Sequence, residues 1–128
     1  MTEIAIQNLS KTIKGNAVIQ DISMNLKSGV IYGFKGINGS GKTMLMRLIC
    51  GLIRPTEGEI RINGKTLGKD LSFPESIGVF LENPAFLDSC SGFQNLKILA
   101  SIRSVATDDD IRATLSRVGL HPDDRKKY

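Results

Sequence analysis

One segment, residues 36–43, constrains the fold of this chain more than any other. It satisfies the pattern G-x-x-x-x-G-K-[ST], with Gly36, Gly41, Lys42 and Thr43 at the specified positions. A short apolar run at residues 30–34 precedes it, and a helical apolar pattern follows it. Because the pattern lies between a predicted buried strand and a predicted helix, we interpret it as a phosphate-binding loop rather than as a glycine-rich turn without a ligand.

The residue types in this loop suit the chemistry of a bound phosphate chain. Gly36, Gly39 and Gly41 carry no Cβ, so backbone N–H groups can turn toward the anion at close range. Lys42 supplies a positive charge for the β- and γ-phosphates, and Thr43 supplies a hydroxyl for Mg²⁺. The helix that begins there adds the positive end of its dipole to the same place.

Size and composition limit the other function classes. The chain has 128 residues, enough for one domain, and its 41% apolar and 23% charged residues are typical of soluble globular proteins. No apolar stretch approaches the ~20 residues that a membrane span needs, so we expect no direct membrane insertion. No secretory leader pattern occurs at the N-terminus, which favours the cytosol.

Charge and cysteine content argue against two further classes of site. The net charge of +4 is scattered over the sequence, without the basic stripe and interleaved aromatic residues that nucleic-acid binding requires. Cys50 and Cys90 lie forty positions apart without metal-ligand spacing, so we interpret both as small apolar residues in a reducing compartment. We therefore expect no nucleic-acid partner, no disulfide and no cysteine-bound metal.

The strand patterns are of two kinds. Residues 3–7 and 22–26 alternate apolar and polar side chains, as antiparallel strands with one wet face do, and residues 8–16 are predicted to form a turn-rich connection. Residues 30–34 and 76–81 are short apolar runs, which favour strands buried on both faces of a parallel sheet. Residues 59–62 alternate into Asn63-Gly64, which predicts a type I′ hairpin returning at 65–67.

Three helices are predicted from apolar periodicity and terminal residues. After Lys42, an apolar stripe recurs before a stop at Gly51 and Pro55; it consists of Leu45, Leu48, Ile49 and Leu52. Ser91 and Gln94 form a capping box, and the apolar residues on that helix are Phe93, Leu96, Leu99 and Ala100. Thr107 caps the last helix, whose acidic first turn is followed by Ile111, Leu115 and Val118 before Gly119.

With these motifs placed, the chain resembles the ATP-binding subunit of an ABC transporter over essentially its whole length. The segments that carry the resemblance are LSKTIKGNAVIQDISMNLKSGVIYGFKGINGSGKT, GLIRPTEGEIRINGK and IGVFLENPAFLDSCSGFQNLKILA. The resemblance implies an α/β fold: an incomplete P-loop NTPase core with an N-terminal antiparallel β-subdomain and the start of a helical subdomain. It assigns residues 1–29 and 57–70 to the β-subdomain, 30–56 and 71–90 to the core, and 91–128 to the helical subdomain.

The same resemblance implies the cofactors and the site residues. ATP and Mg²⁺ would be bound by Gly36, Ile37, Asn38, Gly39, Ser40, Gly41, Lys42 and Thr43. Glu82 occupies the place of the family's Q-loop glutamine, which lies near the γ-phosphate and Mg²⁺, so Thr43 and Glu82 are the candidate metal ligands. Glutamate at this place resembles a subset of exporter-like members. The residues after Glu82 would face a membrane-spanning permease, and a second ATP-binding subunit would complete a dimer at the inner face of the cell membrane.

Two positions depart from the family's pattern within the nucleotide site. Ile13 stands where most members have an aromatic ring that stacks on adenine, and Met44 stands where they have a second hydroxyl residue. A missing stack is worth roughly 1–3 kcal/mol by analogy with base stacking elsewhere, so the resemblance implies a nucleotide affinity that is about tenfold to hundredfold weaker.

The sequence contains no match to the family's signature motif, Walker B segment, D-loop or switch histidine, which in the family follow a tyrosine resembling Tyr128. We therefore expect ATPase activity of the full-length domain but negligible hydrolysis by these 128 residues, with no catalytic residue of their own, and a marginal, self-associating protein. The alternative is a non-catalytic ATP-binding or interaction module that pairs with a complete ATPase subunit. A small P-loop kinase lacks support because no arginine-rich lid pattern occurs, and a GTPase lacks support because no N-K-x-D motif occurs.

Overall fold

A computed structural model describes residues 1–36, 41–81 and 86–125, and the chain divides into two compact units, residues 1–82 and 83–128. In chain order the elements are β1 (Glu3–Ile13), β2 (Asn16–Lys27), α1 (Lys42–Ile49), β3 (Glu57–Ile62), β4 (Lys65–Thr66), α2 (Gly92–Ser101) and α3 (Asp108–Arg117). The first unit holds the sheet and α1, and the second holds α2 and α3.

Within the described residues, four strands form one antiparallel sheet in the order β2-β1-β3-β4. Ile4 lies opposite Leu26 on one side and Ile62 on the other, so the alternating patterns put their apolar residues on a common face. Asn63 (φ 51°) and Gly64 (φ 81°) both have positive φ between β3 and β4, as a type I′ turn requires. The predicted antiparallel strands and the Asn63-Gly64 hairpin are confirmed.

The first hairpin is longer than the sequence predicts. Residues 8–13, assigned above to a turn-rich connection, continue β1 and pair with β2, and the turn itself consists of Lys14 (φ 49°) and Gly15 (φ 78°). The prediction is wrong because the apolar alternation changes phase within each strand at a β-bulge, which hides the strand from a period-two pattern.

One face of this sheet packs against α1 to form the hydrophobic core. The buried side chains are Ile6, Leu9, Ile19, Leu45, Leu48, Ile49, Ile60 and Ile62. The predicted stripe of α1 is confirmed at Leu45, Leu48 and Ile49. The prediction that Leu52 belongs to this apolar stripe is wrong. The helix ends at Ile49, Gly51 (φ 76°) turns the chain, and Leu52 is 56% exposed.

The two predicted parallel strands, residues 30–34 and 76–81, are wrong: neither segment is a strand in the structure. Val30, Ile31, Val79 and Phe80 are exposed, Ile31 completely so. A β-strand satisfies its backbone N–H and C=O groups by pairing with neighbouring strands, and within the described residues neither segment has such a neighbour. Both segments have the apolar composition of a buried strand, but that composition alone does not make a strand when no neighbouring strand pairs with it.

In the second unit, both predicted helix starts are confirmed as capping boxes. Ser91 Oγ accepts from the Gln94 backbone N–H at 3.2 Å, and Thr107 Oγ1 accepts from the Asp110 backbone N–H at 3.1 Å. Ile111 and Leu115 are buried as predicted, whereas the stripes are wrong at Leu99 and Val118, which are more than half exposed.

Asn95 is the buried residue of α2, 6% exposed, although it was not singled out from the sequence. Its Oδ1 accepts from the Leu87 N–H at 2.8 Å, and its Nδ2 donates to the carbonyls of Leu87, Cys90 and Ser91 at 3.0–3.3 Å. One amide thereby fixes the loop that leads into α2 by satisfying four backbone groups, which explains why a polar side chain is buried there.

Candidate nucleotide-binding site

The structure describes part of the predicted phosphate loop. Gly36, Gly41, Lys42 and Thr43 are within the described residues, and so are the two departures at Ile13 and Met44. Five predicted site residues lie outside them: Ile37, Asn38, Gly39, Ser40 and Glu82. The described part of the site therefore consists of the two ends of the loop, at Gly36 and at residues 41–43, and of the elements that pack against them.

Gly41 is the N-cap of α1 and has a left-handed backbone, with φ 90° and ψ 6°. A Cβ built at this position would overlap the carbonyl oxygen of Val18 and would lie 3.3 Å from Ile19 Cγ1. Both the backbone conformation and the space thus require glycine, and β2 approaches the start of α1 to within van der Waals contact. The sequence motif indicated the glycine but not its neighbour on β2.

Lys42 and Gly36 are brought together across the loop. The Lys42 Nζ donates a hydrogen bond to the carbonyl oxygen of Gly36, six residues earlier in the chain. Lys42 is partly buried and is the first residue of α1. A lysine at this point places its positive charge at the N-terminus of the helix, where the motif predicts phosphate.

The N-terminus of α1 differs from those of α2 and α3. Within residues 1–36, 41–81 and 86–125, no side chain caps it and no acidic residue occupies its first turn. By contrast, both α2 and α3 begin with capping boxes that satisfy their first backbone N–H groups. The positive helix end and the Lys42 ammonium together fit a phosphate group.

Thr43, the predicted Mg²⁺ ligand, is the second residue of α1 and is half-buried. Its hydroxyl is an oxygen donor of the kind that Mg²⁺ takes, on the turn where the phosphate-binding groups lie. The residue types at this end of the site therefore fit a magnesium-bound phosphate chain.

The two departures from the family's pattern take different places. Met44 is partly buried and packs against the hydrophobic core, which gives its side chain a packing role. Ile13 is the last residue of β1, lies opposite Asn16 beside the hairpin turn, and is half-buried. Their contact with a nucleotide stays a prediction.

The outer part of the first hairpin is attached to the loop region at further points that sequence reasoning missed. The Lys11 Nζ donates to the Arg54 carbonyl at 2.6 Å, and the Thr12 N–H donates to Thr56 Oγ1 at 2.9 Å. Together with the Val18 contact at Gly41, these bonds hold the hairpin against both the start of α1 and the segment that follows the helix. The sequence does contain a signal of the bulge in β1 that shapes this hairpin, because the buried residues Ile6 and Leu9 are three positions apart within one strand.

The structure also buries Cys50. Burial raises the pKa of the Cys50 thiol, which therefore stays protonated and packs as an apolar residue, as predicted. Within the described residues, no three His, Cys, Asp or Glu side chains are grouped so that they could hold a metal. The described helices are all too short and too polar to cross a bilayer.

The family model for the ABC transporter family matches residues 19–128. The chain belongs to the ABC transporter family. It is 51% identical to the uncharacterized ABC transporter ATP-binding protein YybJ of Bacillus subtilis over 91% of its own length and 54% of that protein. It is 32% identical to the bacitracin transport ATP-binding protein BcrA of Enterococcus faecalis over 98% of its length and 41% of that protein. This ABC family chain thus spans about half the length of the curated relatives it matches.

The fold agrees with this family membership. A bacterial Atm1-family ABC exporter with ATP bound is similar in structure, with a TM-score of 0.51 and 21% identity over 55% of this chain and 12% of that one. At this identity the likeness shows the fold alone. The predicted fold, an ABC ATPase domain with an antiparallel sheet and an incomplete P-loop NTPase core, is confirmed.

Proposed function

We propose that this chain is the ATP-binding part of an ABC transporter and that residues 36–43 bind the triphosphate of ATP. The observation that carries the proposal is the set of phosphate-binding donors at the start of α1. The Lys42 ammonium lies at the start of α1, where it bonds to the Gly36 carbonyl, Gly41 has a left-handed backbone at the N-cap, and no acidic residue occupies the first turn of the helix. Membership of a family of ATP-binding transport proteins supports the same ligand.

Mg²⁺ would be held by the Thr43 hydroxyl and by Glu82, and it would neutralise charge on the β- and γ-phosphates. The loop backbone would orient the phosphates, and Lys42 would exchange the Gly36 carbonyl for a phosphate oxygen. Ile13 provides no aromatic face for adenine and Met44 packs into the core, so we propose weak binding of the base.

We further propose transport in the exporter direction. Glu82 at the Q-loop position resembles a subset of exporter-like members, and relatives at 32% and 30% identity are named for bacitracin transport and lantibiotic transport. The chain would act at the cytoplasmic face of the membrane, with a permease contacted by the residues after Glu82 and a second ATP-binding subunit. The division into a β-subdomain (1–29 and 57–70), a core (30–56 and 71–90) and a helical part (91–128) remains part of this proposal.

The experiment is equilibrium binding of MgATP to the 128-residue protein and to Lys42→Ala. We expect the variant to lose affinity at least about tenfold, because a charge facing phosphates in a partly dehydrated site is weakly screened. Lys69→Ala removes the same charge from an exposed position and serves as the matched control. Equal affinities for wild type and Lys42→Ala would contradict the proposed site.

Hydrolysis tests whether these 128 residues bind ATP without cleaving it, as both the proposed role and its alternative, a binding module without catalysis, require. The same protein is incubated with MgATP and released phosphate is measured, with Lys42→Ala as the background. We expect binding without turnover, since the sequence supplies no Walker B glutamate to act as the base. Turnover that depends on Lys42 and Mg²⁺ would show that this expectation is wrong.

A further inference from the structure

The first hairpin contains three register shifts, and the residues at the first two, which are bulges in opposite strands, are linked by a side-chain hydrogen bond. In β1 an extra residue lies between the pairs Ile6–Met24 and Leu9–Ile22, and in β2 an extra residue lies between Ile22–Leu9 and Ile19–Lys11. At these bulges Asn8 has φ 48° and Asp21 has φ 44°, the left-handed region that L-residues seldom adopt. Asn and Asp are the residue types that tolerate it best after glycine.

The hydrogen bonds of the two bulges are reciprocal. Asn8 Nδ2 donates to Asp21 Oδ1 at 2.9 Å. The Asn8 backbone N–H donates to Ser23 Oγ at 2.9 Å, and the Asp21 backbone N–H donates to Ser10 Oγ at 2.9 Å. Each bulge therefore has its orphaned N–H satisfied by a serine of the other strand.

The third strand is adapted to the same feature. Gly58 of β3 lies opposite the Asn8 bulge with φ 80°, and a Cβ there would overlap the Asn8 carbonyl. The register between β1 and β3 shifts at this point as well, between Gln7–Glu59 and Ser10–Glu57. All three strands are therefore adapted to the bulge at Asn8, as expected for a bulge that is a specific part of the sheet rather than a local defect.

The consequence falls on the outer hairpin, which we define as residues 9–20. Each of these two bulges adds one residue, so the side-chain phase flips once in each strand, and Leu9 and Ile19 enter the core. Val18 is the extra residue of the third register shift, between Lys11–Ile19 and Thr12–Ala17, and its carbonyl oxygen lies beside Gly41 together with Ile19 Cγ1. The two bulges thus fix the strand segments that lead to this contact at the end of the phosphate loop.

We propose that Asn8 and Asp21 are positioning residues for the nucleotide base. Their linked bulges would hold the outer hairpin, with Ile13 beside its turn, against Gly41, so that the base side of the site is fixed relative to the phosphate side. This rests on the proposed function, because it assumes that residues 36–43 bind ATP. Both side chains are exposed, so the pair adds no buried apolar area that would explain its strained backbone.

The test compares MgATP with inorganic tripolyphosphate, which has the phosphates but no base. Asn8→Gly and Asp21→Gly keep a backbone that accepts positive φ while removing the bond between the side chains. We expect the affinity for ATP to fall about three- to tenfold and the affinity for tripolyphosphate to stay within about twofold. Asp21→Asn keeps an oxygen that accepts from Asn8 Nδ2, so its affinity for ATP should stay close to that of wild type.

Asn63→Gly is the matched control, since Asn63 also has positive φ and its Oδ1 accepts from the Glu3 N–H at 2.9 Å at the other end of β1. It should change neither affinity. Equal losses for both ligands in the Asn8 and Asp21 variants, or no loss, would overturn the positioning role while leaving ATP binding intact. A wild-type protein that binds neither ligand would overturn the proposed function and the positioning role with it.

Discussion

Replacing Gly41 by alanine tests whether the close approach of β2 to the phosphate loop is a real constraint. The left-handed backbone at φ 90° costs an L-residue about 1–2 kcal/mol. The new Cβ would also overlap the Val18 carbonyl, and relieving such an overlap typically costs about 1–3 kcal/mol. We therefore expect Gly41→Ala to lower the free energy of unfolding by about 2–5 kcal/mol.

Gly15→Ala, in the turn between β1 and β2, provides the matched control. Gly15 has φ 78°, but nothing lies within 4 Å of its added Cβ, so only the backbone cost of about 1–2 kcal/mol applies. The difference between the two variants isolates the overlap with Val18. Far-UV circular dichroism during urea unfolding measures both, and a gap of about 1–3 kcal/mol corresponds to midpoints about 1 M apart. Coincident midpoints for the two variants would refute the close approach.

Two further predictions concern the second unit. Hydrogen bonds from the Thr107 backbone N–H and side chain lower the pKa of Asp110. The capping box therefore stabilises α3 fully above the ordinary pKa of a carboxyl group, and this stabilisation is lost as the pH falls through the lower pKa of the folded state. Helicity measured from pH 7 to pH 2 should fall more in wild type than in Asp110→Asn; identical profiles would contradict it. Asn95→Leu should destabilise the loop before α2 by about 1–3 kcal/mol, because it removes the side-chain partner of the Leu87 N–H and of the Cys90 carbonyl. Hydrogen exchange at the Leu87 amide measures the effect, and unchanged protection in Asn95→Leu would be inconsistent with the role.

The features predicted correctly from the sequence are those whose cause is local. A type I′ turn needs two residues that accept positive φ, and Asn63-Gly64 satisfies that need without help from the rest of the fold. The capping boxes at Ser91 and Thr107 likewise depend on residues three positions apart. Such signals survive in a single sequence because both partners of the interaction lie within one turn of chain.

The features predicted wrongly depend on partners distant in sequence. Residues 8–13 are a strand because they pair with β2 across three register shifts, the first two of which are the bulges at Asn8 and Asp21, and no period-two pattern crosses a bulge unbroken. Residues 30–34 have the composition of a buried strand, but composition supplies no hydrogen-bonding neighbour. The spacing of Ile6 to Leu9 and of Ile19 to Ile22, three residues each, would have located both bulges if the two strands had been compared with each other.

The contact at Gly41 changes what the phosphate-loop motif means in this chain. The motif attributes this glycine to close approach of a phosphate, yet its left-handed backbone and the overlap with Val18 already require glycine without any ligand. A Gly41 variant that loses nucleotide binding would therefore not identify the residue as a phosphate contact, because the substitution also disturbs the packing of β2 against the start of α1. Lys42 is the better probe: its ammonium makes one described hydrogen bond, to the Gly36 carbonyl, and its removal leaves the backbone of α1 in place. Lys42 is therefore the residue that tests nucleotide binding, and Gly41 is the residue that tests the packing of β2 against α1.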